Sequence, residues 1–352
     1  MHPFQENLHI WLSRNLDANE ENYCREIPFI LSSDIGLIRS ENQDRVAALY
    51  TGKKSINPLL VIAVADGMGG MRDGGGCANL ALSSFFYSII QHRNLEIQAR
   101  ANKAIEEANS QVFELYQGGG GSTLTAVLMD AKGTKIIVHL GDTRIYTFGP
   151  DSKVERHTTD DSLAEAVGGT GRELLQFVGM GESMQPKISE LTQQSGFCAI
   201  TTDGIHGLEE KTLRRILENS ASIEQASRRL NSVANWCGGV DNSTSAIFDI
   251  AEVSKSLSIY EGNGIRTWDA GGDLTTLWLN DEDQATDLKQ PRRSELRAPD
   301  YELEQAQLRS SGHVEKNTTK KPRALPGRSK DKKHEKQPQE KIQLDIEIGN
   351  SD

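Results

Sequence analysis

The stretch from Val61 to Gly70, VIAVADGMGG, constrains the fold of this chain more than any other. It begins with five apolar residues, several branched at Cβ, which is typical of a short strand buried on both faces. Asp66 follows, and three of the next four residues are glycine. A carboxylate at the end of a buried strand is held rigidly, and glycines let backbone atoms approach a ligand closely. This pattern suits a hard divalent cation, which binds carboxylate and carbonyl oxygens. The alternative is a turn that happens to contain an aspartate.

Four further aspartates stand at the ends of predicted strands, namely Asp44, Asp142, Asp203 and Asp241. Each one alone is typical of a turn. If all five converge, like charges crowd one pocket, which is tolerable only when cations neutralise them. Carboxylates without His or Cys partners favour Mg²⁺ or Mn²⁺ over Zn²⁺. Two such ions about 3.5–4 Å apart that share a carboxylate form a recurrent site for phosphoryl transfer.

Composition indicates the cellular compartment of the chain and the share of it that folds. Its 352 residues allow one large domain or two ordinary ones, and a hydrophobic content of 36% indicates that part of the chain does not fold. The sequence contains no run of 18 apolar residues and no apolar segment of useful length at the N-terminus, so we expect neither a membrane span nor a signal peptide. Four cysteines without paired spacing favour a reduced, cytoplasmic chain.

The net charge of -11 is unevenly distributed along the chain. The segment 314–341 holds ten Lys or Arg against four Asp or Glu, so the rest of the chain is strongly acidic. An acidic body argues against nucleic acid as the main partner and for bound cations.

The order of predicted elements indicates the fold class. Strands outnumber helices, and the helices come in consecutive pairs, at 78–90 with 97–116 and at 209–218 with 223–236. This favours an α+β fold of packed antiparallel sheets flanked by helical pairs over a doubly wound parallel sheet. Residues 157–186 are irregular and glycine-rich, which is typical of a mobile flap over a site. The predicted divisions are an N-terminal extension with one helix at 1–29, a main domain at 30–252, a small β add-on at 253–280 and a disordered charged tail at 281–352.

Six short motifs occur in a fixed order between residues 35 and 250. They are Arg-Ser-Glu-Asn-Gln-Asp at 39–44, Asp-Gly-Met-Gly-Gly at 66–70, Gly-Ser-Thr at 121–123, Gly-Asp-Thr-Arg at 141–144, Thr-Asp-Gly at 202–204 and Asp-Asn-Ser-Thr at 241–244. Each motif is a weak signal, but the ordered set resembles the metal-dependent serine/threonine protein phosphatases of type 2C, the PPM family. The resemblance implies a central antiparallel β-sandwich with helical layers outside, in the order α-β-β-α.

The resemblance also implies a binuclear Mn²⁺ or Mg²⁺ site. Asp66 would bridge the two ions, with the carbonyl of Gly67 on one of them. Asp203 and Asp241 would complete the other ion, and Asp44 would sit at the second ion, partly through water. A bridging water, activated by both ions, would then attack phosphorus in line without a covalent enzyme intermediate.

Two further roles and a cellular setting follow from the same resemblance. Asp142, together with Asp203, would hold a third, weaker ion seen in bacterial members. Arg39 would bind the substrate phosphate, a task that suits a planar, bidentate donor. The implied substrates are phosphoserine and phosphothreonine in proteins, the targets of a serine/threonine kinase, which places the chain in signalling. We expect a monomer that needs no membrane.

Some positions depart from the family pattern. Met68 stands where eukaryotic members carry the His assigned as general acid, which points to a bacterial protein and leaves protonation of the leaving group to water. Gly75 replaces a usual Glu, and Met71 replaces a His. The flap motif at 158–162 reads Thr-Thr-Asp-Asp-Ser in place of Thr-x-Asp-His-Ser. None of these changes removes an implied metal ligand.

Two alternatives of a different class remain open. A pseudophosphatase would bind phosphoproteins without hydrolysis, and its mark would be the loss of an essential aspartate. A binding protein could instead act through the basic segment at 314–341. Hydrolysis of p-nitrophenyl phosphate with Mn²⁺, compared with and without chelator, separates the enzyme from both.

Overall fold

The computed structural model of the chain describes residues 1–14, 19–149, 152–169, 171, 173–260 and 264–276. Within them, two antiparallel β-sheets pack face to face, and helices cover the outer face of each sheet. The predicted α+β sandwich is thereby confirmed. The charged tail predicted at 281–352 lies outside the described residues.

The elements are numbered in chain order. The helices are α1 (Pro3–Leu12), α2 (Gly74–Gln91), α3 (Ile97–Tyr116), α4 (Leu163–Val167), α5 (Asp203–His206), α6 (Glu210–Glu218), α7 (Ile223–Trp236) and α8 (Ile250–Ile259). The strands are β1 (Glu20–Cys24), β2 (Phe29–Asp34), β3 (Asp44–Tyr50), β4 (Leu59–Asp66), β5 (Leu124–Asp130), β6 (Lys135–Leu140), β7 (Arg144–Gly149), β8 (Ser152–Arg156), β9 (Lys187–Glu190), β10 (Phe197–Thr201), β11 (Ser243–Asp249), β12 (Ile265–Asp269) and β13 (Gly272–Thr276).

The two sheets differ in strand order. The first sheet runs β1-β2-β11-β10-β7-β8, and the second runs β13-β12-β3-β4-β5-β6-β9. All neighbouring strands in the described part are antiparallel. Four of the predicted aspartates lie at or within two residues of an end of the central strands β3, β4, β10 and β11. Strand pairing brings Asp44 to Asp66 in the second sheet and the segment of Asp203 to that of Asp241 in the first.

Strand β4 shows how one apolar run serves two cores. Successive side chains of a strand point to opposite faces. Val61 and Ala63 pack in the cluster formed with α1, α2 and α3. Ile62 and Val64 pack in the cluster between the two sheets. Each fully buried Val or Ile stabilises the fold by roughly 1.5–3 kcal/mol, so this strand is held firmly from both sides.

The helical pairs lie where the pattern predicts them. Helix α3 has the predicted bounds, and α2 begins four residues earlier than predicted because Asp73 caps it, accepting a hydrogen bond from the Gly76 amide. Helices α6 and α7 cover the outer face of the first sheet, where Leu213 and Leu230 are buried. In the described part of the chain, no helix combines the length and apolar character needed to cross a membrane.

The region after β11 differs in part from the prediction. Strand β11 ends at Asp249, whose carboxylate accepts a hydrogen bond from the Glu252 amide and caps α8. Val253 and Leu257 then bury one helical face between the sheets, so a helix forms at the start of the segment 253–280 that was predicted as a small β add-on. The later part of that segment forms the hairpin of β12 and β13, and β12 pairs with β3, so that β13 becomes an edge strand of the second sheet.

At the N-terminus, α1 forms and packs its buried face on α2, and β1 pairs with β2. The domain divisions near residues 30 and 253 stay predictions.

Candidate active site

Two aspartates face each other at one end of the second sheet. Asp44 opens β3 and Asp66 closes β4, and the two residues are paired across the antiparallel ladder. Asp44 is buried and Asp66 is half-buried. Two carboxylates in neighbouring positions on paired strands repel one another unless a cation or a proton intervenes.

The first sheet brings two more aspartates to the same end. Asp203 lies two residues after the end of β10, and Asp241 lies two residues before β11, the antiparallel neighbour of β10. The two chain segments are joined beyond the strands because the Thr202 amide donates a 3.0 Å hydrogen bond to the Thr244 carbonyl. A second bond links the sheets, since the Thr202 hydroxyl donates to Oδ2 of Asp44 over 2.8 Å.

The aspartates form one electrostatic group centred on Asp66. Burial raises the pKa of Asp66 well above its usual range, and the charges of the other four, Asp44, Asp203, Asp142 and Asp241, raise it further in that order. Burial likewise raises the pKa of Asp44 to about 7, although hydrogen bonds from Thr202 and Thr244 stabilise its ionised form. The structure therefore places the other four predicted aspartates near enough to Asp66 for their charges to act on its carboxylate.

Asp142 belongs to this group but also faces the flap. Its pKa is raised to about 7, first by burial and then by the charges of Asp203 and Asp160. Asp160 in turn binds two arginines, at 2.6 Å from Arg144 Nη2 and 2.6 Å from Arg156 Nη2. These ion pairs fix the first part of the flap to β7 and β8.

Two positions in the loops at the site have room only for glycine. A Cβ atom built on Gly67 would collide with the carbonyl of Gly74, and one built on Gly204 would collide with the carbonyl of Asn242. The amide of Gly67 donates to the Gln43 carbonyl over 3.2 Å, which holds the turn after Asp66 against the turn before Asp44. The glycines thus let two acidic turns approach each other closely.

Arg39 lies at the exposed edge of the cluster. Its Nη2 donates to Oδ2 of Asp241 over 2.7 Å, and its side chain remains 44% exposed. This hydrogen bond is the main cause of a raised pKa of Arg39, with the charges of Asp203 and Asp66 contributing in the same direction. The guanidinium therefore stands beside the carboxylates and within reach of solvent.

A cavity of about 420 Å³, open to solvent, lies against the cluster. Asp142, Asp203 and Asp241 line it on one side, and the flap contributes Asp160 and Ser162. Carboxylates that border an open cavity can meet a dissolved ion or a phosphate group without any rearrangement of the core.

Sequence reasoning missed a buried network of polar side chains behind Asp66. The hydroxyl of Thr123 accepts a hydrogen bond from the Asp66 amide and lies 2.8 Å from the hydroxyl of Thr143. Thr125 donates to the Thr143 carbonyl over 3.3 Å and lies 2.9 Å from Nδ1 of His139. The Nε2 atom of that histidine is 3.0 Å from the carbonyl of Thr159 in the flap. Burial chiefly lowers the pKa of His139, which favours the neutral imidazole inside this network.

Asn242 is a second residue whose role the sequence did not reveal. Its side-chain oxygen accepts from the Gln43 amide over 2.8 Å, and its side-chain nitrogen donates to the carbonyls of Ile35 and Glu41. It thus joins the segment that carries Arg39 and Asp44 to the one that carries Asp241. A polar residue directly after an acidic turn residue was its only signal in the sequence.

The donor chemistry of the site fits divalent cations. In residues 1–276, as far as they are described, no three Asp, Glu, His or Cys side chains form a ready-made metal-binding group. Burial and the charges of neighbouring carboxylates nevertheless raise the pKa of Asp44, Asp66 and Asp142, and such clustered negative charge requires positive compensation. Oxygen ligands of this kind suit Mg²⁺ or Mn²⁺.

Comparison with known proteins identifies the class. A family model for protein phosphatase 2C matches residues 39–237, which is more than half of the chain. The chain belongs to the protein phosphatase 2C family, whose serine/threonine phosphatases are hydrolases that act on phosphoproteins. The predicted resemblance is thereby confirmed.

Relatives and solved structures agree with this assignment. The chain is 27% identical over 237 residues to a serine/threonine phosphatase stp of Listeria innocua, which covers 60% of this chain and 91% of that protein. It is 26% identical to the PPM Ser-Thr phosphatase MsPP from Mycobacterium smegmatis, with a TM-score of 0.54 over 64% of this chain and 98% of that one. It is also 25% identical to the catalytic domain of PstP in complex with two manganese ions, with a TM-score of 0.51 over 62% and 96% of the two chains.

Proposed function

We propose that this chain hydrolyses phosphoserine and phosphothreonine in proteins at a site that holds two Mn²⁺ or Mg²⁺ ions. The observation that supports this most is the electrostatic group around Asp66, in which four other aspartates act on one carboxylate and three of them line an open cavity. The position of Arg39 at the edge of that group supplies a donor for phosphate.

The residues that would hold the ions are the predicted ones. Asp66 lies centrally and would bridge both ions, with the Gly67 carbonyl beside it. Asp203 and Asp241, which lie in the neighbouring segments after β10 and before β11, would bind the other ion, and Asp44 would act at the second ion partly through water. When bound, the ions would supply the positive charge that lowers the pKa of an attacking water and offsets the charge of the phosphate.

The other residues of the chain orient and protect these groups. Thr202 holds one oxygen of Asp44, and Thr123 holds the backbone of Asp66, so both carboxylates are fixed before a substrate arrives. Arg39 would bind two phosphate oxygens through its planar guanidinium. Met68 has no proton to donate, so water in the open cavity would protonate the leaving oxygen.

A third, weaker ion would lie toward the flap. Asp142 borders the same cavity as Asp203, and the charge of Asp203 raises the pKa of Asp142. Two carboxylates that repel each other across a solvent-filled space form a site that a loosely held cation would occupy.

The substrates would be phosphoproteins made by a serine/threonine kinase, and the chain would act as a cytoplasmic monomer. The relative from Listeria innocua is named a serine/threonine phosphatase, which supports the substrate class. The acidic body also repels nucleic acid.

A pseudophosphatase is the second candidate, and a kinetic experiment separates the two. The full chain is given a phosphothreonine peptide or p-nitrophenyl phosphate with Mn²⁺, and phosphate release is followed before and after a chelator is added. We expect turnover that stops with the chelator and returns with excess Mn²⁺. Binding of the peptide without release of phosphate would instead establish the pseudophosphatase.

A further inference from the structure

Four large apolar side chains are exposed on two loops next to the catalytic cleft. Leu37 is 69% exposed and Ile38 is 71% exposed, just before Arg39. Trp236 is 87% exposed at the end of α7, and Val240 is 68% exposed, just before Asp241. We call these four residues the apolar rim.

The apolar rim is a preformed surface because its two loops are bonded together. The Leu37 amide donates to the Gly239 carbonyl over 2.7 Å, and a Cβ atom built on Gly239 would lie 2.8 Å from Cγ of Leu37. Asn242 adds a 2.9 Å hydrogen bond to the carbonyl of Ile35. The turn after α7 is held by hydrogen bonds from the amides at 237–239 to carbonyls in the last turn of the helix.

The apolar rim borders the cleft at Val240. Val240 lines the same cavity as Asp142 and Asp203. The neighbours of the rim in sequence, Arg39 and Asp241, form the 2.7 Å ion pair at the edge of the acidic cluster. A phosphorylated residue that reaches this cluster therefore brings its neighbouring side chains over the rim.

Exposure of this kind is unusual for a surface that binds nothing. Single exposed apolar residues are ordinary, but four of them on two bonded segments, one a tryptophan that is 87% exposed, mark a recognition surface. Tryptophan is also among the residues most often found at energetic centres of protein interfaces. The carboxylates of the cleft beside the rim do not attract apolar side chains. The rim therefore supplies the apolar contact for a peptide that enters the cleft.

We propose that the apolar rim binds a bulky apolar side chain of the substrate next to its phosphoserine or phosphothreonine. This inference rests on the proposed phosphatase function and narrows its substrate class to phosphoproteins with a Leu, Phe or similar residue beside the phosphorylated position. The rim thereby selects among phosphoproteins, whereas the ions and Arg39 act on the phosphate common to all of them.

Two phosphothreonine peptides that differ only in the flanking residues test the proposal. One carries Leu and Phe beside the phosphothreonine, and the other carries Ser and Gly. With the full chain and Mn²⁺, we expect the apolar peptide to have a higher kcat/KM. The variant Trp236→Ala should raise KM for the apolar peptide by about tenfold. It should leave KM for the Ser/Gly peptide and kcat for p-nitrophenyl phosphate within about twofold.

Two further variants make the test decisive. Leu37→Ser removes a second rim residue and, like Trp236→Ala, should raise KM for the apolar peptide. The proposal can therefore still be tested if one of the two variants misfolds. Ile56→Ser replaces an exposed isoleucine in the β3–β4 turn, about 20 Å from Asp44 along the strand, and should leave both peptides unaffected.

Each contrary result has its own meaning. Equal kcat/KM for the two peptides in the wild-type chain, or an equal loss for both peptides in the rim variants, overturns the rim proposal and leaves the phosphatase function standing. No hydrolysis of any of the three substrates overturns the phosphatase function, and the rim proposal with it.

Discussion

Nη2 of Arg39 donates a 2.7 Å hydrogen bond to Oδ2 of Asp241. The residue proposed to bind phosphate thus contacts a residue proposed to bind an ion. Arg39 also passes close to the glycine turn after Asp66, because a Cβ atom on Gly69 would lie 3.1 Å from its Nη1. The guanidinium therefore spans the entrance between the acidic turns of the two sheets.

Replacement of Arg39 by alanine should weaken substrate binding and leave the ions in place. A hydrogen bond to a charged group contributes about 1.5–3 kcal/mol, so KM for a phosphopeptide should rise by about tenfold or more. Manganese affinity, measured by titration calorimetry, should not fall. The matched variant Arg39→Lys keeps the charge but loses the planar pair of donors, and should recover only part of the loss. An unchanged KM in Arg39→Ala would count against phosphate binding by this residue.

Replacement of Asp66 by asparagine should have opposite effects on stability without and with manganese. Without ions, the change removes the charge that the other four aspartates oppose, so the melting temperature in chelator should rise by at least about 2 °C. With Mn²⁺, the stabilisation that the wild-type chain gains from binding should be reduced or lost. The control Asp273→Asn, on the exposed strand β13 and paired only with Arg266 among the contacts described, should show neither effect. A lower melting temperature for Asp66→Asn in chelator would contradict the proposed repulsion.

The ion-free chain should lose stability as the pH rises from about 4 to about 7. Burial raises the pKa of Asp44 and of Asp142 to about 7, well above the value of about 3.9 in an unfolded chain. The folded state therefore holds more protons in this range, and the free energy of unfolding falls as those protons leave. Urea unfolding in chelator, repeated at several pH values, measures the slope.

The double variant Asp44→Asn with Asp142→Asn supplies the control for this pH dependence. Its unfolding free energy should fall less steeply over the same range, because two of the groups with raised pKa values are gone. Equal slopes in the two chains would show that these carboxylates titrate normally.

Thr202 should act as a positioning residue for Asp44. The isosteric change Thr202→Val removes the 2.8 Å hydrogen bond to the carboxylate and an acceptor for the Thr244 amide. We expect manganese affinity to fall by about 10- to 100-fold and the free energy of unfolding to fall by about 1–3 kcal/mol. Thr202→Ser keeps the hydroxyl and should restore the affinity. If the Thr202→Val and Thr202→Ser variants bind manganese equally well, the hydroxyl does not position the carboxylate of Asp44.

Much of the fold could be predicted because its signals are local. The apolar run before Asp66 encodes a strand buried on both faces, and the period of α3 encodes an amphipathic helix with the bounds that the structure shows. The aspartates could be found one by one because each follows or precedes a strand. Their convergence follows from antiparallel pairing, which the consecutive helical pairs indicated.

The missed features depend on contacts between distant segments. The hydrogen bonds that join Thr123 to Thr143 and Asn242 to Ile35 have no periodicity, and threonines are ordinary strand residues. Helix α8 was missed because its first turn depends on the cap at Asp249, within a segment whose apolar residues also fit a strand. The pairing of β12 with β3 joins residues more than two hundred positions apart, which local patterns cannot reveal.

The central claim is that the aspartates around Asp66 bind the ions that make this chain a phosphatase. Its most direct test measures, for one set of proteins, both bound Mn²⁺ and phosphate release from a phosphothreonine peptide. The proteins are the wild-type chain, Asp66→Asn and Asp203→Asn. We predict that the wild-type chain binds at least two ions and turns over the peptide, and that each variant loses ion affinity and activity together. Full activity in either variant at ordinary manganese concentrations would contradict the account.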